Sequence, residues 1–250
     1  MLKKRIIPIV LLDGFSVIKT IKFDERRNLG SPVTVLRTYN TRNVDELILL
    51  DIDASKENRS IDVFTVQTVA SECFMPLTVG GGLKTLDDIA LVLSKGADKV
   101  SINSAALDNP NIIKEASRIF GSQSIVISID VLKEDGEYYI YKKGKVFKDI
   151  DFFEWCKEAS AIGAGELFIN SVDRDGTMAG ADTVLANEVS QLVDIPVIYA
   201  GGVSGVDNCA ELGLTNISAL GIASIFHFTS ITPRDCKLEM SRQNIPVRLY

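Results

Sequence analysis

MPLTVGG at residues 75–81 and IPVIYAGG at residues 195–202 are two short apolar runs, each of which contains a proline and ends in glycines. Six further short apolar runs recur along the chain: RIIPIVLL (5–12), DELILLDID (45–53), DKVSIN (98–103), SIVISIDV (124–131), GELFINSV (165–172) and ISALGIAS (217–224). A helix-like segment follows each run, and strands that are apolar at nearly every position are typical of parallel sheets covered on both faces. Eight such units predict an α/β fold of the closed (βα)8 type, the TIM barrel.

An internal repeat relates the two halves of the chain. Shifting the sequence by 120 residues superimposes five features: Pro76 on Pro196, Gly81–Gly82 on Gly201–Gly202, Ser104 on Ser224, Glu46 on Glu166, and Asp53 on Asp173. Single glycines match by chance, but five matches at one offset do not. We therefore expect two half-barrels that build similar sites on opposite sides of the barrel mouth.

Composition and charge limit the class of protein. The 250 residues are 46% hydrophobic, which suits one barrel domain spanning residues 1–250. A formal net charge of −6 without a basic stripe argues against a nucleic-acid partner. Basic residues precede RIIPIVLL, as in a signal peptide, but the run is short and contains Pro8. We therefore expect a buried strand there, no membrane association and a cytoplasmic protein.

The cysteines and the histidine form no metal-binding pattern. The four cysteines contain no CxxC pair, and they are expected to be reduced thiols: Cys73, Cys156, Cys209 and Cys236. His227, the single histidine, lies between Phe226 and Phe228 and is expected to be structural. We expect neither a metal nor a cofactor.

Two insertions lie on the predicted catalytic rim, after strands one and five. Residues 14–32 are polar and contain Gly30 and Pro32, which predicts a long, mobile loop that closes over substrate. Residues 133–150 carry the turn signals Asp135–Gly136 and Lys143–Gly144 between β-prone segments, which predicts a β-hairpin.

Glycines and hydroxyls at the ends of strands predict two phosphate sites. Glycine lets a ligand approach the backbone closely, and hydroxyls and helix-start amides donate hydrogen bonds to anions. The first set is Gly82, Asn103 and Ser104, and the second is Asp175, Gly176, Gly202, Ala223 and Ser224. The alternative is that these residues only form tight turns, which two symmetry-related sets make less attractive.

Asp130, at the end of strand five, is the candidate acid/base group. It lies between the two proposed phosphate sites, where a carboxyl can give or take a proton. The alternative is a structural aspartate that caps the loop. Lys19 on the long loop and Asp51 after strand two are also placed near the rim, although each could be a solvated charge.

Charged residues open four strands at the opposite, N-terminal end: Arg5, Glu46, Lys99 and Glu166. Such charges usually contact solvent. Because the signs balance, they could instead form a closed ion-pair ring across the bottom of the barrel.

The whole chain resembles the cyclase subunit of imidazole glycerol phosphate synthase. The matching segments run from KRIIP at the start through ELILLDIDAS, TVGGGL, GADKVSINSAA, FGSQSIVISID, VDRDGT and ASIFHF to VRL at the end. In that histidine-biosynthesis family, a glutaminase subunit docks at the bottom of the barrel as a heterodimer and supplies ammonia. The resemblance implies that ammonia passes through the barrel and that a phosphoribulosyl-formimino bisphosphate is cyclised and cleaved at the top.

Most of the family's functional residues are matched in this chain. The resemblance assigns both proposed phosphate sets, with Lys19, to phosphate binding, and Ser104 stands where the family commonly has threonine. It assigns the four charged residues at the bottom to an ammonia gate and Asp98 to a glutaminase contact.

The resemblance breaks in strand one, at a position where the family has a catalytic aspartate that works with the one matching Asp130. Leu11 occupies that position here, and leucine cannot transfer a proton. Asp13 has the same strand parity, so a bulge could bring it inward as a substitute, although Asp13–Gly14 also matches the start of the family's loop. Asn170 is a second change, from threonine.

Three functions are therefore open. The first is a cyclase-type lyase, with Asp130 as its main acid/base group. The second is a paralogue that has altered or lost the cyclase step and relays ammonia to a sugar-aminating enzyme of surface polysaccharide biosynthesis. The third is the related isomerase, which shares the symmetry and the phosphate sites but lacks the charged ring and the glutaminase.

Overall fold

Eight parallel strands close into a barrel in the computed structural model, which describes residues 2–249. Together with four strands that pair antiparallel outside the barrel, the described residues contain twelve strands: β1 (Arg5–Asp13), β2 (Ser16–Ile21), β3 (Glu25–Gly30), β4 (Leu47–Asp51), β5 (Leu77–Gly80), β6 (Lys99–Ile102), β7 (Ile125–Glu134), β8 (Glu137–Lys142), β9 (Lys145–Asp151), β10 (Glu166–Ser171), β11 (Val197–Ala200) and β12 (Ala219–Ile222). Parallel pairing runs β1–β4–β5–β6–β7–β10–β11–β12 and returns to β1. The predicted TIM barrel is confirmed.

Helices surround the barrel and follow its strands. They are α1 (Pro32–Asn40), α2 (Val63–Glu72), α3 (Leu86–Ser94), α4 (Ser104–Asp108), α5 (Asn111–Phe120), α6 (Phe152–Ile162), α7 (Thr183–Leu192), α8 (Val206–Gly213), α9 (Ser224–Phe228) and α10 (Pro233–Arg242). Thr85 and Thr232 form reciprocal capping boxes at the starts of α3 and α10, which satisfies amides that have no partner within the helix. Within residues 2–249, no helix combines the length and apolar content needed to span a membrane.

The structure reproduces the internal repeat. Helices α2 and α7, strands β5 and β11, and helices α4 and α9 each begin 120 residues apart. Asp62 and Asp182, at the same offset, cap α2 and α7 by accepting a hydrogen bond from the helix's third amide. The shared offset therefore extends from matching residues to matching elements.

The two insertions form β-hairpins on the rim. The predicted hairpin at residues 133–150 is confirmed as β8 and β9, which extend β7. The prediction that residues 14–32 form a loop was wrong, because β2 and β3 form an antiparallel hairpin that extends β1. Val17 and Ile18 of β2 are buried in the core, so apolar side chains hold this segment in place.

Alternation along the strands divides the core into two layers. In β1, Ile7, Ile9 and Leu11 belong to an apolar cluster inside the barrel, whereas Val10 and Leu12 belong to the layer between the barrel and the helices. A strand that is buried on both faces needs apolar residues at both parities, which accounts for the unbroken run in the sequence.

A buried ion pair fixes the C-terminal helix to the bottom of the barrel. The Lys237 side chain is 0% exposed, and its Nζ lies 2.8 Å from Asp45 Oδ1 and 2.6 Å from the carbonyl oxygen of Asn43. The other Asp45 oxygen accepts a hydrogen bond of 2.8 Å from the amide of Ile6. Each buried charge therefore has partners, as burial requires.

Candidate active site

A cavity of about 390 Å³ opens at the carboxyl ends of the barrel strands. Active sites of TIM barrels lie at this face. Nearly all of the predicted site residues at the mouth line it: Lys19, Asp51, Gly82, Asn103, Ser104, Asp130, Asp175, Gly176, Gly202, Ala223 and Ser224. The structure therefore brings together residues from both halves of the chain around one space.

Asp130 lies between the two halves and is held by two amides. Asn103 Nδ2 donates to Asp130 Oδ2 at 2.8 Å, and Asn170 Nδ2 donates to Oδ1 at 3.4 Å. Burial raises the pKa of the Asp130 carboxyl to about 7, although both hydrogen bonds act in the opposite direction. A carboxyl with this pKa can serve as an acid or as a base near neutral pH.

Leu11 and Asp13 occupy different environments at the end of β1. Leu11 lines the cavity, whereas the Asp13 side chain is 44% exposed and lies 2.7 Å from Arg26. Past Leu12, β1 pairs with β2 in regular register and leaves the barrel, without the bulge that would bring Asp13 inward. The structure therefore does not bring Asp13 to the site.

The first predicted phosphate set contains one position, Gly82, where the backbone conformation and the surrounding space favour glycine. Gly82 has φ of +64°, and a Cβ on it would lie 1.9 Å from the carbonyl oxygen of Arg59. Asn103 and Ser104 begin α4 beside it. Asp51, predicted near the rim, is buried and accepts a hydrogen bond from the Arg59 guanidinium at 2.5 Å, which ties this loop to the end of β4.

Two members of the second predicted phosphate set, Asp175 and Gly176, contact the hairpin of β2 and β3. Lys19 Nζ lies 2.6 Å from Asp175 Oδ1, and Thr20 Oγ1 donates to Asp175 Oδ2 at 2.7 Å. A Cβ on Gly176 would lie 2.2 Å from the carbonyl oxygen of Thr20, so glycine allows the hairpin to sit against this loop. Lys19 is consequently buried on β2 instead of lying on an open loop.

The remaining members of the second set repeat the geometry of the first. Gly202 has φ of +81°, and a Cβ on it would lie 2.4 Å from the carbonyl oxygen of Gly180. Ala223 and Ser224 begin α9 as Asn103 and Ser104 begin α4. In each half, a glycine permits close packing of two backbone segments, and a helix-start serine lines the same cavity.

Both hairpins reach over the cavity and touch each other. The ring of Phe23, between β2 and β3, lies 6.1 Å from the ring of Tyr141 on β8 in an edge-to-face contact. Phe23 and Lys143 line the cavity, although neither was predicted as a site residue from the sequence. Turn signals located the second hairpin, but they carry no information about the direction in which a hairpin leans.

The four charged residues at the bottom form a closed ring. Arg5 Nη1 lies 2.7 Å from Glu46, Lys99 Nζ lies 3.0 Å from Glu46 and 3.0 Å from Glu166, and Arg5 also contacts Glu166. Burial raises the pKa of Glu46, but attraction to Arg5 and Lys99 and their hydrogen bonds outweigh burial, so this pKa lies below its usual value. The ring neighbours therefore favour the ionised form of Glu46.

Asp98 and His227 lie apart from the cavity lining. Asp98 is exposed next to Lys99 at the bottom, and its Oδ2 accepts from the amide of Leu77 at 2.8 Å. The His227 ring packs edge-to-face against Tyr39. Burial lowers the pKa of His227 to about 4, and nearby positive charges act in the same direction, so the ring is neutral at neutral pH.

Comparisons with known proteins identify the family of this chain. A family model described as histidine biosynthesis protein matches residues 5–232. Over 249 residues, the chain is 42% identical to the imidazole glycerol phosphate synthase subunit HisF of an Exiguobacterium species, covering 99% of this chain and 97% of that protein. The chain belongs to the HisF family.

Two further relatives cover the whole chain and their own full length. The HisF subunit of Petrotoga mobilis is 41% identical over 252 residues. A Campylobacter jejuni protein, provisionally called imidazole glycerol phosphate synthase subunit hisF2, is 45% identical over 249 residues. The resemblance inferred from the sequence is confirmed, and the HisF family is shown over the full barrel.

Proposed function

We propose that this HisF-family barrel binds a doubly phosphorylated substrate across its mouth and supports a cyclase-type reaction that uses ammonia. The observation that carries the proposal is the position of Asp130, a buried carboxyl with a pKa of about 7 between two symmetry-related glycine–hydroxyl sets. Each set serves as a phosphate cradle, and both line the same cavity, so one molecule with two phosphate groups can contact both.

Asp130 is the group that moves protons in this proposal. Asn103 and Asn170 donate to its two oxygens and fix the plane of the carboxyl. Because its pKa is close to neutral, the same group can accept a proton in one step and return it in another. Leu11 supplies no carboxyl at the end of β1 that could share this proton transfer.

Ammonia enters this proposal from the bottom of the barrel. The ion-pair ring closes that end, and apolar side chains fill the barrel interior above it, among them Ile7, Val126 and Phe168. Neutral ammonia crosses an apolar interior more readily than ammonium does, because burying an unpaired charge is costly. Opening the ring would admit ammonia to the space below Asp130.

A glutaminase subunit of the HisH type is the proposed source of ammonia and would dock around the ring as a heterodimer. Asp98 is exposed beside Lys99, and Phe74, just before β5 at the same end, is 85% exposed. An exposed aromatic next to a charged rim is the composition expected of an interface.

A second candidate function is favoured by Leu11. A barrel that keeps the ring and both cradles but has leucine at position 11 could deliver ammonia without cyclising anything. The acceptor would then be a third enzyme that aminates a sugar for surface polysaccharide biosynthesis. This alternative predicts stimulation of the glutaminase without turnover of the bisphosphate.

Steady-state turnover of the phosphoribulosyl-formimino bisphosphate with excess ammonium separates the two functions. The cyclase proposal expects turnover that Asp130→Asn reduces by about 10² to 10⁴, whereas Asp149→Asn, which removes an exposed carboxyl, leaves it unchanged. No turnover above a buffer control ends the cyclase proposal.

The docking proposal has its own assay. A HisH-type glutaminase should co-purify with the barrel, and Asp98→Asn should weaken binding while keeping an acceptor for the Leu77 amide. Asp87→Asn, which changes an exposed aspartate in the first turn of α3, is the matched control. Equal binding by both variants would remove Asp98 from the interface, and no binding to wild type would reject the partner.

A further inference from the structure

The lysines that line the cavity differ in whether their ammonium group already has a partner in the protein. Four line it: Lys19, Lys56, Lys84 and Lys143. Lys19 is paired with Asp175, Lys56 Nζ lies 3.8 Å from Asp53, and Lys84 Nζ donates to Asn58 at 3.2 Å. Among residues 2–249, Lys143 has no ion pair, side-chain hydrogen bond or cation–π contact. Its ammonium group is therefore available to a ligand.

Contacts of the two residues before Lys143 fix the turn in which it lies. Lys142 forms an ion pair with Asp108 at the end of α4 and lies over the ring of Phe147, with 5.5 Å from Nζ to the ring centroid. Tyr141 contacts Phe23 of the other hairpin. Lys143 itself has φ of +51° at the tip, before Gly144. The turn is thus anchored on the α4 side of the mouth, where Ser104 lies.

Asp108 is an acidic side chain near Ser104 that would repel a bound anion. Asp108 lines the cavity four residues after Ser104. Lys142 neutralises it, so the adjacent Lys143 adds a net positive charge to this side. At the other cradle, Lys19 is already compensated by Asp175.

We propose that Lys143 binds the phosphate group held at the Ser104 cradle and is a specificity-determining residue for doubly phosphorylated substrates. The inference rests on the proposed function, since it assigns one end of the bisphosphate to that cradle. A lysine is suited to this role because its ammonium acts as a point charge toward phosphate.

Calorimetric titration of the phosphoribulosyl-formimino bisphosphate tests the proposal with a matched pair of variants. Lys143→Gln should raise the Kd by about 5- to 20-fold, and Lys143→Arg should restore most of the affinity. Lys145→Gln makes the same charge change two residues away, at an exposed position outside the cavity lining, and should stay within about twofold of wild type.

A double-mutant cycle assigns the cradle. Loss of affinity in Lys143→Gln should be coupled to Ser104→Ala and should add independently to Ser224→Ala. Equal affinities of Lys143→Gln and Lys145→Gln, or coupling to Ser224 alone, would overturn the inference while leaving the proposed function intact. Absence of bisphosphate binding by the wild-type protein would reject both.

Discussion

In the register of the strands, Leu11 in the first half of the barrel occupies the position that Asp130 occupies in the second half. Leu11 pairs with Leu50 between β1 and β4, Asp130 pairs with Asn170 between β7 and β10, and residues 50 and 170 are related by the 120-residue offset. Both side chains line the cavity. The mouth therefore carries a carboxyl in one half and an apolar side chain at the same position in the other.

Leu11→Asp should increase the cyclase rate. A second carboxyl opposite Asp130 allows one group to donate a proton while the other accepts one, and such a group typically contributes about 10² to 10⁴ in rate. The measurement is kcat with the bisphosphate and excess ammonium. Leu11→Asn is the control, because it introduces polarity of similar size without proton transfer. A rate for Leu11→Asp no higher than that of the control would count against the missing-carboxyl explanation.

Asp130 should make the folded state less stable as the pH rises. Its pKa of about 7 lies above the value near 3.9 of an unfolded chain, so the folded protein binds more protons between these pH values. The stabilisation is complete below about pH 4 and is lost as the pH rises through 7. Asp130→Asn should therefore gain stability relative to wild type by about 2 to 4 kcal/mol between pH 4.5 and pH 8.

Urea unfolding at several pH values measures this difference. Asp149→Asn removes an exposed carboxyl and should show a constant difference from wild type across the same range. A constant difference for Asp130→Asn as well would show that Asp130 titrates near its ordinary value.

The strands and the repeat were predictable because their signals are local or periodic. Runs such as RIIPIVLL are apolar at both parities, and residues such as Ser104 and Ser224 match at a fixed offset. The hairpin formed by β2 and β3 was missed because its strands are held by tertiary contacts, namely the burial of Val17 and the pairing of Lys19 with Asp175. The position of Lys143 over the cavity depends on the lean of a hairpin, which no spacing in the sequence specifies.

Gly82→Ala should abolish the first cradle, whereas Gly14→Ala should not. Both glycines have similar left-handed backbones, with φ of +64° and +61°, so both substitutions introduce strain of about 1 to 2 kcal/mol. Only at Gly82 would the new Cβ collide with a backbone, at 1.9 Å from the Arg59 carbonyl oxygen; at Gly14 nothing lies within 4 Å. Bisphosphate affinity should fall at least about tenfold in Gly82→Ala alone, and equal affinities would show that the loop is free to shift.

Lys237→Met should destabilise the barrel strongly, although it lies far from the mouth. The substitution keeps the apolar stem but leaves Asp45, which is 9% exposed, without its cation. Breaking a buried pair in this way typically costs about 3 to 5 kcal/mol. Asp45→Asn combined with Lys237→Met should recover part of that loss, since the amide oxygen can still accept from Ile6 without a buried charge.

Urea midpoints measure the effect, and Lys157→Met, which removes an exposed i,i+3 pair with Glu154, should stay within about 0.5 kcal/mol of wild type. A loss for Lys237→Met as small as that control would mean that water reaches Asp45 and that α10 is held by apolar packing alone.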